Sequence, residues 1–338
     1  MNKSKYDIEF DECPMIIKKF LFYIKTIKGR ENNTVRTYYY SLKHFFLYIL
    51  YSVQLITKDE LDSYNKLRLV NIDLLQAIST EKIYSYLYYC SQHNNSSVTR
   101  AKKLSAIKQY FAYLQKHENL IAENPAANIE TPKKPKRIPK HLSEEQSISL
   151  LNAVEGDFFE RDYCILVLFL NCGLRISELV NLNYKDIKGN NYLVIHGKGN
   201  KEREVPLNNS CITSINEYKK VRPVNGLKDR DAFFISRQNN RMSSNTIRAM
   251  LKKNLKKIGL DGQGISPHKL RHTAATLTYK GGGDLRSLQE LLGHENLSTT
   301  EIYTHISSEQ IKEATNNNPL ANLTRHKSNN HSPTISNK

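Results

Sequence analysis

The stretch of sequence that decides the organisation of the fold is residues 124–146, NPAANIETPKKPKRIPKHLSEEQ. Its prolines, Pro125, Pro132, Pro135 and Pro139, exclude a continuous helix, because proline lacks a backbone donor and clashes with the preceding turn. The stretch therefore predicts an extended linker that divides the chain into two segments.

Positive charge is densest in this linker. The chain of 338 residues has 50 lysines and arginines against 33 aspartates and glutamates, a formal net charge of +17, and residues 132–141 hold five basic and no acidic side chains. Such an excess favours a polyanionic partner, either nucleic acid or an anionic membrane surface. Basic side chains in an extended segment suit contact with phosphates, although an ordinary solvated linker has the same composition.

Composition also excludes several classes of protein. The longest apolar run, Tyr163–Leu170, is too short to span a bilayer. Residues 1–13 are polar and acidic and lack the apolar region of a signal peptide. The five cysteines are scattered and form no CxxC pair, so we expect a reduced, cytoplasmic protein without a cysteine metal site.

The segment before the linker has the periodicity of helices. Apolar residues recur at three- and four-residue spacing in two stretches, namely Val35, Tyr38, Tyr39, Leu42, Phe45, Phe46, Ile49 and Leu104, Ile107, Phe111, Leu114. Each stretch gives one apolar helical face, and shorter helices are expected around 15–27 and 80–92. Four helices predict a small bundle, with residues 52–75 as an insertion between the second and the third.

The segment after the linker combines helices with one small sheet. Helices are expected at 144–154 and 158–171, and again from residue 211 to about residue 315. Between residues 183 and 207, side chains alternate between the two faces of a strand until GKGN interrupts the alternation, and a second short run follows at 204–207. This pattern predicts two strands joined by a tight turn. The expected fold class is mainly α with a small antiparallel β-sheet. From residue 316 the chain is rich in Asn and Ser, which predicts a partly disordered tail.

Two motifs in this second segment place a cation in an unusual setting. In NCGLRISEL, residues 171–179, Gly173 can end one helix in the left-handed conformation, so that Arg175 lies in the first turn of the next. A cation there opposes the helix dipole, which a bound anion would offset. In HGKGNKER, residues 196–203, Lys198 lies in a glycine-flanked turn that can approach a ligand closely. Taken alone, each cation is better explained as an ordinary surface side chain.

The motif ISPHKLRHT, residues 265–273, predicts an anion site beside a titratable group. Ser266 can cap a helix, and the proline after it suits the first helical position. His268 and Arg271 then lie three residues apart near the positive end of the helix dipole. His268 and His272 also have the spacing of a zinc pair, but HExxH and a nearby third ligand are absent, so metal binding is the weaker interpretation.

The fourth motif, LLGHENLSTTEIYTH, covers residues 291–305. Gly293 ends one helix, and the sequence STTE that follows is a capping box that starts another. This break would let His294 and Tyr303 converge, whereas a lone tyrosine is more often a core side chain. Together the four motifs supply two arginines, a lysine, two histidines and a hydroxyl nucleophile, a set that suits attack on a phosphodiester without a metal.

These motifs give the chain its resemblance to a known family. In their order and spacing they resemble those of the tyrosine recombinases, most closely the bacterial Xer (XerC/XerD-type) subgroup, over about residues 12–320. The resemblance implies an N-terminal helical, SAM-like core DNA-binding domain at 1–131 and a basic linker at 132–141. It further implies a mixed α/β catalytic domain at 142–315, followed by the tail at 316–338.

The resemblance also implies how the scissile phosphate is held. Arg175 and Arg271 would bind it as a pair, and His294 would hydrogen-bond it. Lys198, in the hairpin turn, would protonate the leaving 5′ oxygen.

The nucleophile implied by the resemblance is Tyr303, which would form a 3′-phosphotyrosyl bond and release a 5′ hydroxyl. His268 would assist proton transfer at this tyrosine. Candidate residues for DNA contact are Lys133, Lys134, Lys136, Arg137, Arg100 and Lys103.

The resemblance implies no cofactor and no metal, because the covalent bond keeps the energy of the phosphodiester for rejoining. The family acts on double-stranded DNA recombination sites as a tetramer and exchanges strands through a Holliday junction. A homotetramer, or a heterotetramer with a second recombinase, is therefore expected, with an FtsK-like translocase as a further candidate partner and no membrane. The segment after the tyrosine docks on a neighbouring subunit in the family, and residues 306–320 could do so here.

Four functions are weighed against these features. The leading hypothesis is resolution of chromosome dimers, hence chromosome partition at cell division. An integrase of a mobile element has the same chemistry, and the sequence hardly separates the two. A DNA-binding accessory protein without catalysis is disfavoured by the full residue set, and a type IB topoisomerase by the motif spelling and the two-domain layout.

Overall fold

The computed structural model describes residues 13–61, 63–133, 141–189, 191–197, 202–292 and 308–325. The chain divides into two compact units, Met1–Arg137 and Ile138–Lys338. Lys134, Lys136 and Arg137 of the predicted basic linker lie outside the described residues.

The N-terminal unit consists of helices. They are α1 (Met15–Phe22), which continues into a π-turn at Tyr23–Ile27, α2 (Asn32–Ser52), α3 (Ile72–Gln76), α4 (Thr80–Gln92) and α5 (Ser97–Lys116). The four helices predicted for this unit are confirmed as α1, α2, α4 and α5.

The core of this unit forms where the two long helices, α2 and α5, pack together. Leu42 and Phe46 of α2 and Leu104 and Phe111 of α5 are completely buried. Because these residues recur every three or four positions, they line one face of each helix and leave the polar residues to solvent. Tyr38 lies at the edge of the predicted face and is only partly buried.

Residues 52–75, predicted as an insertion, lie between α2 and α4. They form two 3₁₀ turns, Lys58–Glu60 and Tyr64–Leu69, and the short helix α3. Leu67 and Leu75 are 1% exposed and belong to the core of the unit, so the segment is packed on the bundle.

The C-terminal unit contains eight helices and three strands among its described residues. In chain order they are α6 (Glu144–Asn152), α7 (Phe159–Cys172), α8 (Ile176–Asn181), β1 (Ile187–Lys188), β2 (Tyr192–His196), β3 (Glu202–Pro206), α9 (Asn209–Val221), α10 (Ser244–Lys257), α11 (Pro267–Lys280), α12 (Leu285–Leu292) and α13 (Ser308–Asn316).

Helix α7 is the centre of this unit. Every residue from Tyr163 to Cys172 is buried, and α9 and α11 pack against it. A helix that is apolar on all sides is stable only when other elements cover all its faces. No helix in the described part of the chain is long and apolar enough to cross a membrane.

The sheet is antiparallel in the order β1-β2-β3. Leu193 and Ile195 of β2 and Val205 of β3 point into the core, as strand alternation requires. The two predicted strands are confirmed, and β1 adds a third strand that the sequence pattern did not indicate. The fold class, mainly α with a small antiparallel sheet, is confirmed.

Residues 308–325 pack on the domain of their own chain. Leu320 and Leu323 join its apolar core, the Asn318 amide donates to the carbonyl of Leu170 at 2.9 Å, and the Ser210 hydroxyl donates to the carbonyl of Leu320 at 2.7 Å. The first part of the predicted tail is therefore ordered by burial against its own domain, and docking of residues 306–320 on a neighbouring subunit stays a prediction. Residues 326–338 lie outside the described part of the chain.

Candidate active site

A left-handed glycine directs the first arginine. Helix α7 ends at Cys172, and Gly173 follows with φ +59°. A Cβ at this position would lie 2.6 Å from Cδ2 of Leu292, so both the backbone angle and the close approach favour glycine. Arg175 is the N-cap residue of α8, which corrects the sequence-based prediction that it lies within the first turn.

The anion at this helix N-terminus is a side chain of the protein itself. Glu178, whose side chain is 4% exposed, accepts hydrogen bonds of 2.7 Å from both the backbone N–H and the guanidinium of Arg175. The guanidinium of Arg203 on β3 donates two more, of 2.9 and 3.0 Å, in a bidentate pair. Glu178 therefore joins α8 to the hairpin.

The charges around Glu178 determine its ionisation. Burial alone would raise the pKa of its carboxyl group, but hydrogen bonds from Arg203 and Arg175, together with the positive charge of Arg203, outweigh burial and hold the pKa below its ordinary value. Glu178 is therefore a carboxylate at neutral pH.

The second arginine approaches the same carboxylate from α11. Arg271 is 4% exposed, its Nη1 lies 3.8 Å from Oε2 of Glu178, and Nη1 also donates to the carbonyl of Gly173 at 2.8 Å. Burial, followed by the positive charge of Arg175, lowers the pKa of Arg271 to about 10. The guanidinium remains protonated at neutral pH, so three cations surround one carboxylate.

The end of α12 is tied to this cluster. Arg203 Nε donates to the carbonyl of Leu291 at 3.2 Å, and Arg271 Nη2 donates to the carbonyl of Leu292. The last residues of α12 therefore lie beside both β3 and α11.

His268 lies at the exposed beginning of α11, three residues before Arg271. Ser266 is the N-cap and Pro267 begins the helix, as predicted, although the serine side chain makes no capping hydrogen bond. His268 is exposed, and its Nε2 lies 3.1 Å from Nε2 of His272, one helical turn later.

Among the described residues, this cluster has an excess of positive charge. There the guanidiniums of Arg175, Arg203 and Arg271 face the carboxylate of Glu178. The side chain of Arg175 is 44% exposed and can therefore reach a ligand at the surface. Planar, permanently charged donors of this kind suit a phosphate group.

Comparison with known proteins gives the family of this chain. Residues 140–310 match the Phage integrase family, and residues 58–118 match the family's N-terminal SAM-like domain. The chain is 44% identical to tyrosine recombinase XerC of Caldanaerobacter subterraneus subsp. tengcongensis over 314 residues, which are 91% of this chain and 88% of that protein. The chain is a tyrosine recombinase. It is therefore a DNA strand-transferring enzyme, and the family resemblance inferred from its motifs is confirmed.

A further relative supports this family, and a solved structure shows the same fold. Tyrosine recombinase XerD of Proteus mirabilis is 36% identical over 308 residues, which cover 89% of this chain and 92% of that protein. The crystal structure of a lambda integrase tetramer bound to a Holliday junction has the same fold, with a TM-score of 0.63 at 18% identity, over 89% of this chain and 85% of the integrase chain.

Of the six predicted catalytic residues of this recombinase, Arg175, His268 and Arg271 lie among the described residues. The two arginines meet at Glu178, and His268 lies on the same helix as Arg271. Lys198, His294 and Tyr303 lie outside the described part of the chain, and their roles stay predictions.

Two residues of the recombinase cluster, Glu178 and Arg203, were missed by sequence reasoning. The signal for Glu178 is its position three residues after Arg175, which is the spacing of a capping box. Arg203 has no comparable signal, because its contacts with Glu178 and Leu291 join residues 25 and 88 positions apart.

The predicted DNA contacts in the N-terminal unit of the recombinase have partners within that unit. Arg100 donates to the Ser91 hydroxyl at 2.7 Å, and Lys103 Nζ lies 5.5 Å from the centre of the Tyr86 ring. Lys133 is exposed at the beginning of the linker. These residues therefore remain candidates for DNA contact.

Proposed function

We propose that this recombinase cuts and rejoins DNA at a specific site through a 3′-phosphotyrosyl intermediate. The phenolic oxygen of Tyr303 attacks the scissile phosphorus, the bond between phosphorus and the 5′ oxygen breaks, and the released 5′ hydroxyl later reverses the reaction on a partner strand. Each strand exchange conserves one phosphodiester bond, so no external energy source is needed.

The observation that carries this proposal is the arginine cluster on Glu178. Two guanidiniums held by a buried carboxylate and by backbone carbonyls are preorganised for the negative charge that develops on the phosphate oxygens. In this proposal Arg175 and Arg271 bind that phosphate with His294, Lys198 donates a proton to the leaving 5′ oxygen, and His268 accepts the proton of Tyr303.

The proposed biological role is resolution of chromosome dimers by a tetramer on two recombination sites. Its support is the similarity, over most of the chain, to proteins named XerC and XerD. The tetrameric assembly is supported by the shared fold with an integrase that forms a tetramer on a Holliday junction.

Covalent trapping tests this role. The purified chain is incubated with nicked fragments of its own genome, and DNA that stays attached to protein in denaturant is sequenced. A nick beside the cleavage position releases the 5′ strand and prevents rejoining, so the covalent complex accumulates. For a role in resolving chromosome dimers, we expect capture of one chromosomal site near the replication terminus. Capture at the ends of a mobile element would replace the chromosomal role by an integrase role, and the lack of any attached DNA would refute the proposed reaction.

The basic linker is proposed to follow the DNA backbone. Replacing Lys133, Lys134, Lys136 and Arg137 together by alanine should weaken DNA binding and reduce the slope of log K against log salt by about 3 to 4, since each phosphate contact contributes about 0.9. Fluorescence anisotropy at several salt concentrations measures this slope.

The matched control for the linker keeps its charge. Exchanging the three lysines for arginine and Arg137 for lysine should leave the salt slope unchanged, because the number of neutralised phosphates is the same. An unchanged slope in the alanine variant would remove the linker from the DNA interface.

A further inference from the structure

His268 forms a pair on α11 with His272, a second histidine to which the proposed reaction gives no role. The Nε2 atoms of His268 and His272 are 3.1 Å apart, and the ring centres are 4.6 Å apart with the planes at 80°. At this distance one ring must carry a hydrogen on Nε2 and the other must offer its lone pair, since two bare nitrogens would repel each other. The two rings therefore share one hydrogen bond.

The surroundings of the pair keep His272 uncharged. His272 is partly buried, and burial, followed by the positive charges of His268, Arg271 and His141, lowers its pKa. These three are the titratable or charged groups that act on His272 within the described residues, from its own helix and from the segment before α6. His272 is therefore neutral at physiological pH and can accept a hydrogen bond.

The assignment made for this pair gives the Nε2–H to the exposed ring, His268, because the uncharged His272 can offer its Nε2 lone pair. With its hydrogen on Nε2, the lone pair of neutral His268 lies on Nδ1, which is the atom able to take a proton from a nucleophile. The acceptor at His272 thus selects one tautomer of His268 and restricts rotation of its ring.

We propose that His272 is a positioning residue that accepts the Nε2–H of His268 and stabilises the imidazolium formed during cleavage. The proposal rests on the proposed function, in which the phenolic proton of Tyr303 moves to Nδ1 of His268 as the oxygen–phosphorus bond forms. The Nε2–H stays on His268 throughout, and the proton on Nδ1 returns to Tyr303 when the strand is rejoined. A neutral histidine acts here as the orienting group of a general base, a task that a carboxylate performs in other enzymes.

The test compares His272→Leu with His272→Gln. Leucine removes the acceptor, and we expect the single-turnover rate of cleavage on a nicked substrate to fall about tenfold, the value of one hydrogen bond. Glutamine places an amide oxygen near the position of Nε2 and should restore the rate to within about threefold of wild type, because an uncharged acceptor remains.

The pH profile separates this role from a merely structural one. Losing the acceptor destabilises the imidazolium, so the acidic limb of the cleavage profile should move to lower pH in His272→Leu and stay in place in His272→Gln. Affinity for the uncut DNA site should be the same in all three proteins. An unmoved acidic limb in the leucine variant would overturn the proposal.

A double-mutant cycle with His268→Ala tests that His272 acts through His268. In that background His272→Leu should cause no further loss of rate, since the hydrogen bond is already absent. A second, independent loss would assign His272 a different role. Failure of the wild-type chain to form any covalent adduct would instead refute the proposed function, so the two failures are distinguishable.

Discussion

Replacing Tyr303 by phenylalanine should abolish formation of the covalent protein–DNA adduct. The substitution removes the phenolic oxygen that is proposed to form the bond to phosphorus, and without that oxygen the side chain cannot form a covalent link to DNA. We expect the cleavage rate to fall by about 10⁴-fold or more, while affinity for DNA changes little because only one oxygen is lost. A denaturing gel with labelled nicked DNA measures the adduct, and a gel shift measures binding.

Tyr279→Phe is the matched control for this substitution. Tyr279 lies near the end of α11 and is 59% exposed, so loss of its hydroxyl should leave both the adduct and the binding affinity at wild-type levels. An adduct formed by the Tyr303→Phe variant would transfer the nucleophile role to another hydroxyl of the chain.

Replacing Glu178 by alanine should have the largest combined effect on stability and activity. The carboxylate holds Arg203 and Arg175 by hydrogen bonds and lies beside Arg271. Without it, the buried guanidiniums repel each other, and removing one partner of a buried ion pair costs about 3–5 kcal/mol of the free energy of unfolding. Arg175 can turn into solvent, so the cost falls mainly on the two more buried arginines.

The rate of DNA cleavage should fall together with the free energy of unfolding in Glu178→Ala. Displacement of the arginines by about 1 Å would slow DNA cleavage by about 100-fold, because the site depends on preorganised donors. Chemical denaturation and single-turnover cleavage measure the two effects. Glu204→Ala, on the exposed side of β3, is the control and should change neither quantity. Wild-type cleavage by Glu178→Ala would mean that the arginines keep their positions without the carboxylate.

The effect of Glu178 on stability should depend on pH in a defined direction. Its pKa is lower in the folded protein than the ordinary value of 4.5, so the folded state binds this proton less readily than the unfolded state. The stabilisation is therefore complete above about pH 5 and is lost as the pH falls through the folded value. The wild type and Glu178→Gln should accordingly converge in stability in acid, which denaturation at a series of pH values from about 7 downwards would reveal.

The sequence predicts those parts of the molecule whose pattern is local. The faces of α2 and α5 follow from residues such as Leu42 and Leu104 at helical spacing, and the hairpin follows from alternation around Leu193. Arg175 and Arg271 belong to motifs on separate helices, so their spacing alone does not predict that they meet. The family resemblance predicts that the two arginines bind the same phosphate. Leu42, Leu104 and Leu193 are buried in the folded chain, as their spacing along the sequence predicts.

The remaining features depend on contacts between distant residues. The Arg203–Glu178 pair and the hydrogen bond from Arg203 to Leu291 are determined by how β3 packs on α8 and α12. The order of residues 316–325 depends on a surface formed by α7 and α9, on which Asn318 and Leu320 are buried, so composition alone could not say how far the anchored piece of the tail extends. Strand β1 is only two residues long and exists because β2 pairs with it.

The packing of the C-terminal segment sets an order of events during synthesis. Asn318 bonds to Leu170 across 148 positions, and Ser210 bonds to Leu320 across 110. The N-terminal unit has a core of its own and can fold while translation continues. The second unit can close its longest loops only after residue 320 has left the ribosome. A nascent chain thus acquires a folded N-terminal unit before it acquires a complete catalytic core.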